Sequence, residues 1–99
     1  VSEQESAADR VQRGAAWLDE RSPGWERRVR LRKLDEWSDR SCMLAQVWGM
    51  QYPDALKAAR LTDARAMELG FQARLPVLAE YAALTQKWKE EALARLRRR

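Results

Sequence analysis

Apolar residues recur at helical spacing along most of the chain, and the breaks between them mark out successive helices. Ala8, Val11, Ala15 and Leu18 share one side of a helix over residues 5–21, with Ala7 and Gly14 at the edge of the stripe. Ser6 or Ser2 can cap it, and acidic residues crowd its first turn, as the helix dipole favours. Trp17 lies off the centre of the stripe, where a neighbouring element could meet it. Ser22-Pro23-Gly24 then breaks the helix. Residues 25–34 fit two patterns. Trp25 and Val29 form an i, i+4 pair, while Val29 and Leu31 alternate with arginine as a strand would. A short helix turning extended near Val29 is expected.

Beyond the cluster Ser38-Asp39-Arg40-Ser41, the run CMLAQVW is apolar nearly all round and stops at Gly49, which predicts a short, deeply buried helix. Pro53 suits the first position of the next helix, PDALKAAR, with Leu56 and Ala59 inward. Thr62 caps another, DARAMEL, and Gly70 ends it. Pro76 opens the longest helix, through about Arg97, with Val77, Tyr81, Leu84, Trp88 and Ala92 in one stripe. Its other side carries Ala79, Ala82, Ala83, Leu93 and Ala94, unusually apolar for a face meant for water. Either short helices wrap this helix on both sides, or its back is a contact surface. The fold class expected is all-α. One domain over residues 1–99 forms a small bundle of five or six mostly short helices around a long C-terminal helix, with residues 1–4 and 97–99 frayed.

Composition narrows the function by exclusion. The chain has 99 residues, of which 45% are hydrophobic and 34% charged, so it is neither disordered nor membranous in character. No apolar run approaches the ~18 residues of a membrane span. The start is polar and acidic, unlike a signal peptide, and the single Cys42 cannot form an internal disulfide, so a cytoplasmic protein is expected. There is no histidine, which removes the usual neutral-pH general base and the commonest metal ligand. One cysteine without histidine excludes ordinary zinc sites, and no dinucleotide, phosphate-loop or nucleophile-elbow motif occurs. No cofactor and no catalytic activity are expected.

The net charge of +4 is unevenly spread, because basic residues concentrate in 21–33 and in the closing RLRRR. The first stretch offers Arg27, Arg28, Arg30, Arg32 and Lys33 to phosphates, with Trp25 or Trp37 available for stacking. Against this, Trp25, Val29, Leu31 and Leu34 read as inward-facing, which makes the cations a solvated edge. The terminal Arg97, Arg98 and Arg99 serve equally well to offset a helix dipole. Residues 53–70 have the size of a helix-turn-helix unit, but the second helix lacks Asn or Gln to read bases. Cys42 reads as a buried thiol rather than a nucleophile. Five tryptophans are many for so small a core, and together with the back of the last helix they suggest a partner surface. Trp17, Trp37, Ala79, Ala83 and Leu93 are its candidate contacts.

The motifs RGAAWLDERSPGW, LRKLDEWSDRSCMLAQVWG, ALKAARLTDARAMELGF and LTQKW, in that order, cover nearly the whole chain. Together they resemble a family of small proteins encoded by actinobacterial phages and prophages, with no assigned activity. Its pattern opens on GAxxLDxxxPGW and continues through IDLxxLDL, CVLGQLxG and GLxxLGL to a closing GF. The chain departs from it at Arg30 and Arg32, where the family has aspartates, and at Ala45, where it has glycine. The resemblance therefore implies a setting, a phage gene acting in a host cytoplasm, and implies that the basic stretch is no family requirement. The expectation is a small non-enzymatic protein that binds a host or phage protein, or a second copy of itself. The alternative is nucleic-acid binding through residues 27–33 and 95–99.

Overall fold

The first helix starts at a serine that caps it. Ser6 Oγ accepts a hydrogen bond from the Asp9 N–H at 3.1 Å, and α1 runs Ala7–Arg21. The computed structural model describes residues 6–74 and 78–98, and among them there are five α-helices and no strand. After α1 come α2 (Met43–Trp48), α3 (Tyr52–Ala58), α4 (Asp63–Glu68) and α5 (Leu78–Arg97). The protein is a small all-α domain with a long last helix. Thr62 Oγ1 caps α4 by accepting from the Arg65 N–H at 3.1 Å. Pro53 is near the start of α3 but follows Tyr52 rather than leading the helix.

Residues 25–34 form no strand. Two 3-10 turns, Trp25–Arg27 and Leu31–Lys33, flank extended backbone at Arg30. The apolar residues of this stretch still turn inward: Trp25, Val29 and Leu34 are buried, as is Glu26, and Leu31 is half-buried. The expected opening of the last helix at Pro76, the place of Val77 in its stripe, and residues 1–4 and Arg99 lie outside the described residues. Arg97, expected to fray, is the last residue of α5.

Helices α1 and α5 run in the same direction. Arg10, near the start of α1, meets Glu80 near the start of α5 at 2.8 Å, and Asp19 meets Arg95 near their ends, also at 2.8 Å. Between these pairs lies the centre of the core. Trp88 stacks on Phe71 with ring centroids 5.3 Å apart, meets Trp25 edge-on at 5.7 Å, and donates its Nε1–H to the Gly70 carbonyl at 2.7 Å. Val11, Ala15, Leu18, Leu84 and Ala92 close around it. Gly14 is buried where α1 crosses the end of α4, and a methyl group there would overlap the Leu69 carbonyl oxygen and come within 2.9 Å of the Trp88 ring.

Arg10, only 2% exposed, ties three segments together. Its Nε donates to the Met67 carbonyl at 2.7 Å, its Nη2 to the Gln72 carbonyl at 2.5 Å and its Nη1 to Glu80. A guanidinium can be buried here because every face of it finds an acceptor. Among the described residues no helix packs on the far side of α5: Ala79, Ala82 and Ala83 are all exposed, so the short helices cover one side of it only. No helix among the described residues is long and apolar enough to cross a membrane.

Candidate functional site

The loop from Asp35 to Cys42 is held by short-range bonds that aim two neighbouring side chains in opposite directions. Asp35 Oδ1 accepts from the Trp37 N–H at 3.1 Å, an Asx turn, and the Ser38 N–H returns to the Asp35 carbonyl at 3.0 Å. The Glu36 N–H donates to Thr85 Oγ1 on α5 at 2.8 Å, which docks the loop on the long helix. Glu36 then turns inward and Trp37 outward.

Glu36 is 4% exposed, and its Oε2 accepts from the Met43 N–H at 2.6 Å. It thereby caps α2, whose own N-cap residue, Cys42, offers no side-chain cap. Its other oxygen, Oε1, is shielded from solvent and has no hydrogen-bond partner. Burial pushes this carboxyl up to about 8, against the opposing pull of the Met43 N–H, with the Asp35 charge adding a smaller push upward. An unfolded chain releases this proton near 4.5, whereas the folded chain keeps it to about 8. Over that window the native state binds more protons, so this group lowers stability progressively as pH rises. Glu36→Gln is therefore expected to gain on the wild type by up to about 1 kcal/mol per pH unit between pH 5 and 8. Urea unfolding at four pH values reads this directly, because no histidine titrates in the same range. A gap that does not change with pH would mean that Glu36 is ionised in the native state.

Glu36 and Trp37 border a cavity of about 700 Å³ that is also lined by Asp39, Tyr52, Asp63, Phe71, Gln72 and Tyr81. Trp37 is 54% exposed, and its ring meets Tyr81 edge-on with centroids 5.1 Å apart. Deeper in, Tyr52 donates its hydroxyl to Gln72 Oε1 at 2.8 Å, and burial raises the Tyr52 hydroxyl well above its ordinary value. The Tyr52 N–H also holds the loop, donating to the Asp39 carbonyl at 2.7 Å. Leu78, 65% exposed, stands one helical turn before Tyr81.

No protein-family model, curated protein or solved structure matches this chain.

Of the five contact candidates taken from the sequence, Trp37 has the most open ring. Trp17 is half-buried: it stacks on Trp48 at 5.7 Å, meets Phe71 edge-on at the same distance, and carries the Arg21 guanidinium 5.1 Å above its ring. Ala79 and Ala83 are exposed on α5, and Leu93 is 39% exposed about 20 Å further along the same helix. These five do not form one patch. Sequence reasoning missed Leu78, Tyr52 and the carboxylates Glu36, Asp39 and Asp63. The run DEWSD was the available signal, since it places acids on both sides of a tryptophan.

The basic stretch makes a second surface. Arg27, Arg28, Arg30, Arg32 and Lys33 are all exposed. Arg28, Arg30 and Lys33 join Arg40 along a groove of about 470 Å³ whose lining, among the described residues, contains no carboxylate. Arg28 also donates to Ser22 Oγ, and the Arg30 N–H to Gln46 Oε1 at 2.6 Å. At the end of α5, Arg97 and Arg98 are exposed, while Arg99 lies outside the described residues. Arg95 is engaged: it pairs with Glu91 and Asp19 and lies 5.5 Å above the Trp25 ring. That hydrogen-bonded pairing holds the Asp19 carboxyl below its usual value. Trp25 is fully buried, so no base can stack on it, and Trp37 belongs to the acidic cavity rather than to the basic groove. The aromatic half of the nucleic-acid arrangement is therefore not assembled.

Cys42 is buried beneath Glu36, and burial, reinforced by the Glu36 charge, pushes its thiol up to about 12. Such a thiol is not a nucleophile at neutral pH.

Proposed function

We propose that the protein is a small non-catalytic module that binds a protein partner through the surface around Trp37 and the start of α5. The observation that carries this reading is an indole more than half exposed, fixed against Tyr81 at the rim of a cavity, with Leu78 nearby. A rigid aromatic anchor beside a depression is the arrangement in which interface energy concentrates. The resemblance to phage-encoded proteins supplies the setting for this reading, a host cytoplasm with a host or phage protein as partner.

Panning a displayed random-peptide library against the full chain tests it. Selected peptides are expected to bind the wild type and to lose about 30-fold in affinity on Trp37→Ala, the loss for an anchor worth about 2 kcal/mol. The same substitution is expected to leave urea stability within about 0.5 kcal/mol, since the side chain is mostly outside the core. Failure to select peptides, or selection of peptides indifferent to Trp37→Ala and Leu78→Ser, would remove the reading.

A second reading is favoured by one observation, the carboxylate-free groove of Arg28, Arg30, Lys33 and Arg40. If it holds phosphates, affinity for a short duplex falls with salt with a log–log slope of about −3 to −4, one unit per neutralised phosphate. Arg30→Glu is then expected to weaken binding at least tenfold at low salt. A flat salt dependence would exclude this reading.

A further inference from the structure

The geometry points to the cavity beside Trp37 as a receptor for a cationic side chain, an arginine guanidinium or a lysine ammonium presented by the protein partner. This inference rests on the protein-binding reading above and names the chemistry that the partner brings.

The lining sets the sign of the occupant. In a chain with 19 basic residues and a net charge of +4, this cavity has no arginine and no lysine among the described residues that line it. It is lined by Glu36, Asp39 and Asp63 together with four aromatic rings. Several carboxylates elsewhere are paired with a cation: Asp19 and Glu91 with Arg95, Glu80 with Arg10, and Glu90 with Lys87. Asp39 and Asp63 make no such pair among the described residues. An anion would be repelled here, and a neutral apolar group would strip water from carboxylates without replacing it. A flat or compact organic cation satisfies both features, since aromatic faces attract it and carboxylates accept its N–H groups.

A second observation points the same way. Glu36, more than nine-tenths buried, lines this cavity and has an oxygen with no hydrogen-bond partner. Buried polar atoms are almost always satisfied; burial keeps this carboxyl protonated, and a cation placed beside it favours the ionised form, whose Oε1 then accepts a donor. Guanidinium and ammonium groups carry only donors. Among the described residues no three carboxylates or thiols are close enough to share a metal ion, so a larger, softer cation fits the spacing better. The size agrees as well: about 700 Å³ leaves room for a long side chain and part of its backbone. The rim decides between a free small molecule and a protein side chain. Exposed Trp37 on the rim, with Leu78 exposed one helical turn before Tyr81, offers apolar surface of the kind that excludes water around a charged anchor in a protein interface.

The test uses the full chain and three probes: N-acetyl-argininamide, N-acetyl-lysinamide and N-acetyl-citrullinamide, the last an uncharged isostere of arginine. Binding is read from the Trp37 indole N–H and the Tyr81 ring resonances by NMR. The arginine probe is expected to bind with Kd on the order of 1 mM, as suits a ligand of this size. The citrulline probe is expected to bind at least tenfold more weakly. Asp63→Asn and Asp39→Asn, both exposed and so harmless to folding, are each expected to weaken the arginine probe at least threefold. Equal binding of arginine and citrulline, or no response at Trp37 and Tyr81, would overturn the inference.

The peptide selection separates this from the broader reading. Peptides that depend on Trp37 but carry no enrichment in Arg or Lys would sink the cationic occupant and leave the interaction surface standing. Binding of the arginine probe with no selected peptides would do the reverse. Light scattering covers the last occupant: a dimer dissolved by Asp63→Asn would make a second copy of this chain the arginine donor and overturn the assignment to a foreign partner.

Discussion

Trp88→Ala is expected to cost about 4 kcal/mol, which is a large part of the 5–15 kcal/mol that holds a domain of this size together. Three separate losses add up at this site. The indole fills the space between α1, α4 and the turn at Trp25, and its removal leaves a cavity whose walls, Phe71, Trp25 and Leu84, are themselves buried. Its stacking on Phe71 and edge contact with Trp25 vanish. The Gly70 carbonyl also loses its donor. Trp88→Phe separates these contributions, because it keeps an aromatic ring and loses the N–H, and about 2 kcal/mol is expected for it. Urea unfolding followed by far-UV circular dichroism measures both without relying on the fluorophore being changed. A cost under about 1.5 kcal/mol for the alanine variant would contradict the packing described.

Gly14→Ala is expected to destabilise by about 3 kcal/mol, although helix propensity alone says it should gain about 1. The difference is tertiary. Gly14 sits mid-way along α1, where a methyl group would run into the Leu69 carbonyl and crowd the Trp88 ring. Backbone cannot move aside as a flexible side chain does, and Leu69 is anchored by its own hydrogen bond to the Arg65 carbonyl at 3.0 Å. An exposed position on the same helix gives the control. Ala16→Gly is expected to cost about 1 kcal/mol, the ordinary propensity effect. If Gly14→Ala proves neutral or stabilising, α1 does not approach α4 as closely as described.

The parts of the fold legible from sequence are those whose cause is local. Leu84, Trp88 and Ala92 recur at helical spacing and are buried together; Ser6 and Thr62 are placed to cap and do so. The basic stretch was readable as a solvated edge because Trp25, Val29 and Leu34 interrupt its arginines at intervals that turn them inward. What stayed hidden depends on partners far away in sequence. Arg10 looks like a solvated residue at the edge of a stripe until Met67, Gln72 and Glu80 come round to accept from it. Glu36 reads as one acid among several until α2 needs a cap. The acidic cavity gathers residues from the 35–42 loop, α3, α4, the segment after α4, and α5, so no spacing in the chain announces it. Ala79 and Ala83, whose face the sequence left either covered or open, are exposed, and only the fold shows that the open ring of Trp37 borders a cavity.

The pairing of the first helix with the last bears on how the protein is made. Trp25 and Phe71 find their principal aromatic partner in Trp88, and α1 finds its main neighbour in α5. During synthesis, everything through residue 74 emerges before the element that covers it. A nascent chain at that stage displays two large aromatic rings and the bare apolar stripe of α1 to the surrounding medium. Completion of the core is thus tied to the arrival of α5, and translation stalled before it leaves a sticky chain of the kind chaperones hold. Residues spaced so far apart also make closure slower than in a bundle of sequential hairpins. The core around Trp88 closes only once the turns of α5 have left the ribosome.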